Sequence, residues 1–388
     1  MAVSHGQTLG IYIHIPFCRS KCDYCDFYSL SGREQDMDRY QQALLAHIRR
    51  TAHSATDWFV DTIYFGGGTP SIYGAGRLEE LLSLLRAHYR VADDAEITVE
   101  GNPDSVDSSL LVPLRRAGFN RLSLGVQSAC DRHLRALHRP HTFAQAQQAV
   151  AAARQAGMDN ISLDLIYGLP HQSLCDWQHT VEQVLLLEPE HLSCYGLKVE
   201  EHTPLYDRVL QGEPLPDDDA QADMYLWTVH RLEQAGYHQY EISNFARPGR
   251  ASRHNLRYWL TAPYLGFGPG AHSDFGDQRY SFVQNLDEYI HNVLSQQPVT
   301  DTRVSISLRE RADEYLMLRL RTALGIDPTE YCRTFSMKFE PLEALFSSYR
   351  QQGWATFHNH RWRLTPEGFL LSNHLIGQLL DAQQPCTH

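Results

Sequence analysis

The chain has 388 residues, 43% of them hydrophobic, enough for one large core and a smaller one beside it. Its formal charge of −12, from 34 basic against 46 acidic residues, argues against a nucleic-acid partner, because phosphate backbones need a positive surface. No apolar run approaches the roughly 18 residues of a membrane helix, so the expectation is a cytoplasmic protein with no membrane span and no secretory leader.

The first expected strand, 10–16, runs into Cys18-Arg-Ser-Lys-Cys22-Asp-Tyr-Cys25. Three thiols at C-x3-C-x2-C spacing can hold three corners of an iron–sulfur cube and leave the fourth iron open, whereas [4Fe–4S] clusters normally take four thiolates. An open iron is a place for a cofactor, just as catalytic metals keep one position free. Zinc sites pair two such couples, and the ten residues after Cys25 contain no His or Cys to complete one. The remaining cysteines, Cys130, Cys175, Cys194, Cys332 and Cys386, are too scattered for a disulfide framework.

Further strands are expected at 62–66, 96–101, 121–127, 161–167 and 191–197, with helical patterns such as 78–85 and 144–156 between them. Six βα units read as a parallel sheet. Several strands read as apolar on both faces, as strands covered by helices do. Right-handed crossovers would curl them into a barrel, although the pattern alone fits a doubly wound sheet as well. The strand ends carry Gly66-Gly67-Gly68-Thr69, Glu100-Gly-Asn-Pro, Gly125-Val-Gln127-Ser128 and Asp164. Barrels place their chemistry at these carboxyl ends. Glycines there let a backbone approach a ligand, and a carboxylate can hold ribose hydroxyls or an amine; each feature alone reads equally as a turn or a cap.

Residues 212–219 read as a capping turn before a helix near Ala220. The stretch 237–287, rich in Gly and aromatics, reads as loop with irregular strand, and it contains His254-Asn-Leu-Arg-Tyr258-Trp259. An imidazole can ligate haem iron and neighbouring aromatics can pack on a porphyrin; the alternative is a loop anchored by two aromatics. Amphipathic helices follow over 307–324 and 341–352, then a hairpin over 354–364 and a helix from Thr365.

The cysteine spacing followed by Gly-Gly-Gly-Thr-Pro resembles the radical S-adenosylmethionine (SAM) superfamily, and the strand ends resemble its porphyrin-linked branch. The resemblance implies a partial (β/α)6 TIM-like barrel over 1–236. A loop-rich connecting region is expected over 237–300 and a small winged-helix-like α+β domain over 301–388. It further implies a [4Fe–4S] cluster on Cys18, Cys22 and Cys25, and SAM contacts at Tyr12, Gly67, Gly68, Thr69, Glu100, Gln127, Arg139 and Asp164, some of which surround a second SAM in that branch. The hexapeptide resembles the H-N-x-x-Y-W haem-binding motif of HemW-type haem chaperones. That implies haem iron ligation by His254, haem packing by Tyr258 and Trp259, delivery of haem to membrane or respiratory haemoproteins, and a flavodoxin-type electron donor. Oxygen-independent coproporphyrinogen III oxidases share the barrel, yet they carry a further Cys two residues after the trio and an N-terminal extension. Here that position is Phe27 and the first cysteine of the trio is already residue 18. Both departures point away from decarboxylase chemistry, and the oxidase or another radical SAM tetrapyrrole enzyme stands as the alternative.

Overall fold

The computed structural model describes residues 7–385, so Cys386 lies outside the described residues. Six parallel strands follow one another in chain order: β1 (Thr8–Ile15), β2 (Phe59–Gly67), β3 (Arg90–Gly101), β4 (Arg121–Gln127), β5 (Ile161–Tyr167) and β6 (His191–Gly196). Each pairs with its sequence neighbour. A doubly wound sheet reverses its strand order partway; this order runs in one direction, which decides for the barrel. Helices α1 (Met37–Thr51), α2 (Ala75–His88), α3 (Ser108–Ala117), α4 (Phe143–Gln155) and α5 (Leu174–Leu185) make the crossovers, and α6 (Asp218–Gln234) follows β6.

The strands are not apolar on both faces as the sequence suggested. They alternate strictly, with Ile63, Phe65, Ile97, Val99, Leu122, Leu124, Leu163 and Leu165 buried in the main hydrophobic core. Their neighbours Tyr64, Glu100, Ser123, Asp164 and Ser193 bond to one another across the inside. The period of two was masked because both faces are buried, one by helices and the other by its own hydrogen-bonded polar column.

The stretch expected to be loop-rich, 237–300, instead extends the same sheet. At the β6 edge stand β7 (His238–Glu241) and β8 (Asn244–Ala246), both antiparallel to their neighbours. At the other edge β9 (Tyr264–Phe267) pairs parallel to β1 and leads into the antiparallel β10 (His272–Phe275), β11 (Gln278–Phe282) and β12 (Thr300–Ser305). These strands are short, and the links on either side of β10 turn through Gly268, Gly270 and Gly276, which hides their alternation in the sequence. The hexapeptide is likewise not loop: it forms helix α7 (Arg253–Trp259), capped by the Ser252 side chain. Both carboxylate oxygens of Glu96 accept the Arg253 and His254 amides at 3.0 Å. A carboxylate on the free amides of a helix N-terminus satisfies otherwise unpaired donors, so this tie seats α7 against the amino half of the barrel.

A second hydrophobic core forms around Leu316, Phe346, Trp362 and Leu375. Helix α8 (Leu308–Arg319) is followed by α9 (Pro328–Phe335), which the sequence reading missed, then α10 (Glu340–Gln351), the hairpin β13 (Ala355–His358) and β14 (Arg361–Leu364), and closing helices. Asp327 at the cap and Pro328 in the first turn could have signalled α9. No helix among the described residues is long and apolar enough to cross a membrane. Trp362 stacks on Phe346 with ring centroids 5.1 Å apart, and its backbone exchanges hydrogen bonds with Ile326. Trp362→Ala should cost about 3–5 kcal/mol in this unit. In chemical denaturation it should lower the unfolding midpoint of the C-terminal core; an unchanged midpoint would show that the indole carries no packing load.

Candidate functional site

The mouth of the barrel is built by a close backbone approach. After β1, Phe17 and Cys18 run beside Leu30 and Ser31 in a short parallel pair that closes the cysteine loop. Gly68 donates its amide to the Ile15 carbonyl and Thr69 donates to that of Phe17, each at 2.8 Å. A Cβ on Gly68 would stand 2.6 Å from the Phe17 oxygen and 3.0 Å from Cys18 Sγ. Glycine is therefore required there by the cysteine strand itself, not only by a ligand as the sequence suggested. Thr69 Oγ1 lies 3.3 Å from Cys18 Sγ.

A cavity of about 550 Å³ opens under the loop, within the range of small-molecule sites. Cys18, Cys22, Cys25, Gly67, Gly68, Thr69, Glu100, Gln127, Arg139 and Asp164 all line it. The structure thus brings together the cysteine trio and seven of the expected contacts. Tyr12 lies outside the lining: it stacks behind Tyr64 at 6.3 Å and its hydroxyl meets His14 Nδ1. Gln127 takes a left-handed φ of 64° where the β4–β5 register slips, which turns the strand end over the mouth. Among the described residues no three His, Cys, Asp or Glu side chains converge on a single-ion site, and Cys18, Cys22 and Cys25 form no disulfide.

Electrostatics divide the cavity. Burial pushes the Cys18 and Cys25 thiols up. Arg139 donates to Cys22 Sγ at 3.3 Å, to Asn102 Oδ1 at 2.8 Å and to the Gly125 carbonyl at 2.7 Å, while its Nε is buried without a partner. Three thiols on one wall and a guanidinium beside them fit an anionic thiolate cluster, since thiolates are the ligating form and a neighbouring cation favours them. Asp23, between two of the cysteines, accepts from Arg208 at 2.7 Å and meets His138 Nδ1 at 2.6 Å, which fixes the loop from outside.

His254, Tyr258 and Trp259 do not line the cavity. The His254 ring is 1% exposed, its Nδ1 meets Thr62 Oγ1 and its Nε2 the Tyr258 hydroxyl, both at 2.9 Å, and it stacks 5.1 Å from Tyr64. Burial lowers its pKa to about 3, so the ring is neutral. In this geometry it offers no free nitrogen to iron, contrary to the simple reading of the motif. The residue of the hexapeptide that reaches the cavity is Asn255. Sequence reasoning also missed Tyr64, Asn102, Arg121 and the serine column, Ser123, Ser162 and Ser193; the polar–apolar alternation in Arg121-Leu-Ser-Leu-Gly125 was the available signal.

Residues 12–184 match the family model described as the radical SAM superfamily, and 306–371 match the HemN C-terminal domain. The chain is 36% identical to the haem chaperone HemW of Mycobacterium tuberculosis, over 98% of this chain and 97% of that one. It is 35% identical to the haem chaperone HemW of Bacillus subtilis, over 95% and 98%. The solved coproporphyrinogen III oxidase HemN from Escherichia coli, a radical SAM enzyme, superposes with a TM-score of 0.83 at 25% identity, covering 97% of this chain and 91% of that one.

Glu100 accepts from Tyr64 at 2.7 Å and from the Gly67 amide at 3.2 Å, yet burial outweighs these bonds and raises its carboxyl from 4.5 to about 7. Between those values the folded chain holds a proton that the unfolded chain has lost, so this group's contribution to stability falls as pH rises through the window and levels off above it. In ligand-free protein Glu100→Gln should flatten stability against pH there, by roughly 3 kcal/mol over the whole window at 1.36 kcal/mol per unit. Denaturant unfolding at several pH values checks this, and parallel slopes for variant and wild type would count against a raised Glu100.

Proposed function

Since the chain belongs to the HemW-type family of the radical SAM superfamily, we propose that it is a haem chaperone that holds a [4Fe–4S] cluster and SAM at the barrel mouth. The carrying observation is that the three thiols and the Gly67–Thr69 backbone face one cavity. Cys18, Cys22 and Cys25 would hold the cluster, which when bound supplies single electrons and an open iron for SAM. Arg139, which donates to Cys22 Sγ, would balance part of the negative charge of the bound cluster. The Gly67 amide at the end of β2 donates to Glu100 near the end of β3, and this polar edge of the cavity is suited to the amino acid part of SAM. Gln127 and Asp164 offer amide and carboxylate to the rest. Haem is cargo, passed on to respiratory haemoproteins, and a flavodoxin-type protein would supply electrons.

Assembly of the cluster is tested by anaerobic reconstitution. Cys22→Ser should lose nearly all iron and sulfide, while Cys175→Ser, whose side chain is exposed, should match wild type. A fully loaded Cys22→Ser protein would sink the assignment. The fold match to the oxidase supports a second reading, turnover of coproporphyrinogen. Supplying reconstituted protein with SAM, a reductant and either coproporphyrinogen III or haem separates them, since one route releases product repeatedly and the other passes haem once to an acceptor.

For haem ligation, His254 would coordinate iron through Nε2 only by exchanging the Tyr258 hydroxyl. Tyr258→Phe removes that competitor and should increase the low-spin nitrogen-ligated fraction in electron paramagnetic resonance spectra, while His254→Ala should abolish it. If neither substitution changes the iron spectrum, α7 is structural and the ligand lies elsewhere.

A further inference from the structure

The floor of the cavity holds a guanidinium whose charge Glu96 and Asp164 favour through space, but whose buried Nε and Nη1 no protein group hydrogen-bonds. Arg121, the first residue of β4, is 1% exposed, lines the cavity, and has Nε and Nη1 buried without a hydrogen-bond partner. A guanidinium stays charged at any accessible pH, and a buried charge is costly unless it is paired. Three carboxylates stand near enough to have served, and each is engaged by other donors. Asp164 accepts from the hydroxyls of Ser123, Ser162 and Ser193 at 2.7–3.0 Å. Glu100 takes Tyr64 and the Gly67 amide, and Glu96 takes the two amides that start α7. Thr98, the register partner of Arg121 on β3, also has its hydroxyl buried and unpartnered. Two adjacent orphan groups under an open cavity mark the place of an absent acceptor.

We propose that Arg121 is the receptor for a carboxylate of the ligand that fills the barrel. The planar fork of donors matches a carboxylate in two-point contact, and the serine hydroxyls that hold Asp164 keep the protein's own acid from closing the fork. This rests on the proposed function, because both small molecules named there carry the group: haem as propionates, SAM at its amino acid end. The shared chemistry is the carboxylate, and the two sources are separable by probes that lack it.

Reconstituted wild type, Arg121→Gln and Arg121→Lys would be titrated with haem, haem dimethyl ester, SAM and decarboxylated SAM. Wild type should prefer one acid over its carboxylate-free counterpart. Arg121→Gln should lose that preference by a roughly tenfold to hundredfold weaker binding of the acid, the range for one charge-assisted bond, with Arg121→Lys between. Loss confined to haem assigns a propionate; loss confined to SAM assigns its amino acid end. A ligand role also requires that the ligand-induced rise in Tm shrink in Arg121→Gln relative to wild type. A Gln variant that is unstable or unfolded without ligand would mean that Arg121 is structural, and unchanged preference for both acids would mean that water alone answers it; either result overturns the proposal. If wild type binds none of the four probes, the functional reading fails and this inference with it.

Discussion

The close approach of the Gly68–Thr69 backbone to Phe17 and Cys18 is the contact on which the site depends. Two amide bonds to the carbonyls of Ile15 and Phe17 fasten the cysteine loop to the carboxyl end of β2. Because a Cβ at Gly68 would enter the Phe17 carbonyl, no other residue type allows this spacing without moving a thiol. The ion pair of Asp23 with Arg208, and Arg139 beside Cys22, then fix the loop from two further sides. A site of three thiols from one loop needs that external rigidity, since a loop alone would not hold its ligands in place.

The inside of the barrel is polar from floor to mouth. Such a column is tolerated only when its members satisfy one another, and here nearly all do: the serines answer Asp164, Tyr64 answers Glu100, and His191 lies between Ser162 and Tyr240. Its imbalance is local, at Arg121 and at Arg139, one near each end of the cavity. Donors left without a partner beside the cavity, Nε and Nη1 of Arg121 and Nε of Arg139, are consistent with acceptors on a bound ligand.

Helix α7 seats at the amino end of this arrangement. Arg257 donates to Asp61, Thr62 and the Pro263 carbonyl, and Glu96 caps the amino end, so the helix closes the amino half of the barrel and presents Asn255 to the cavity. A sequence motif read for haem ligation is, in this geometry, also a structural plug. Its histidine is held neutral by burial, which is the protonation state that iron ligation needs.

The sequence by itself determined the cysteine loop, the order of six βα units and the glycine-rich strand end, because each is written in local spacing: thiols four and three residues apart, apolar runs at strand length, and glycines where no side chain fits. Cys18, Gly68, Glu100, Gln127 and Asp164 could be named because they sit in a motif or towards strand ends, and Arg139 because the family resemblance implies it. The partners of those residues were decided only by tertiary structure. Arg121, Asn102 and the serines lie in ordinary strand and turn positions and gain meaning from neighbours dozens of residues away. Tyr12 and His254 lie in recognisable motifs, but cross-strand packing turned them away from the cavity. Spacing along a chain records which groups are close in sequence; which hydrogen bonds a buried group ends up making depends on every strand that faces it.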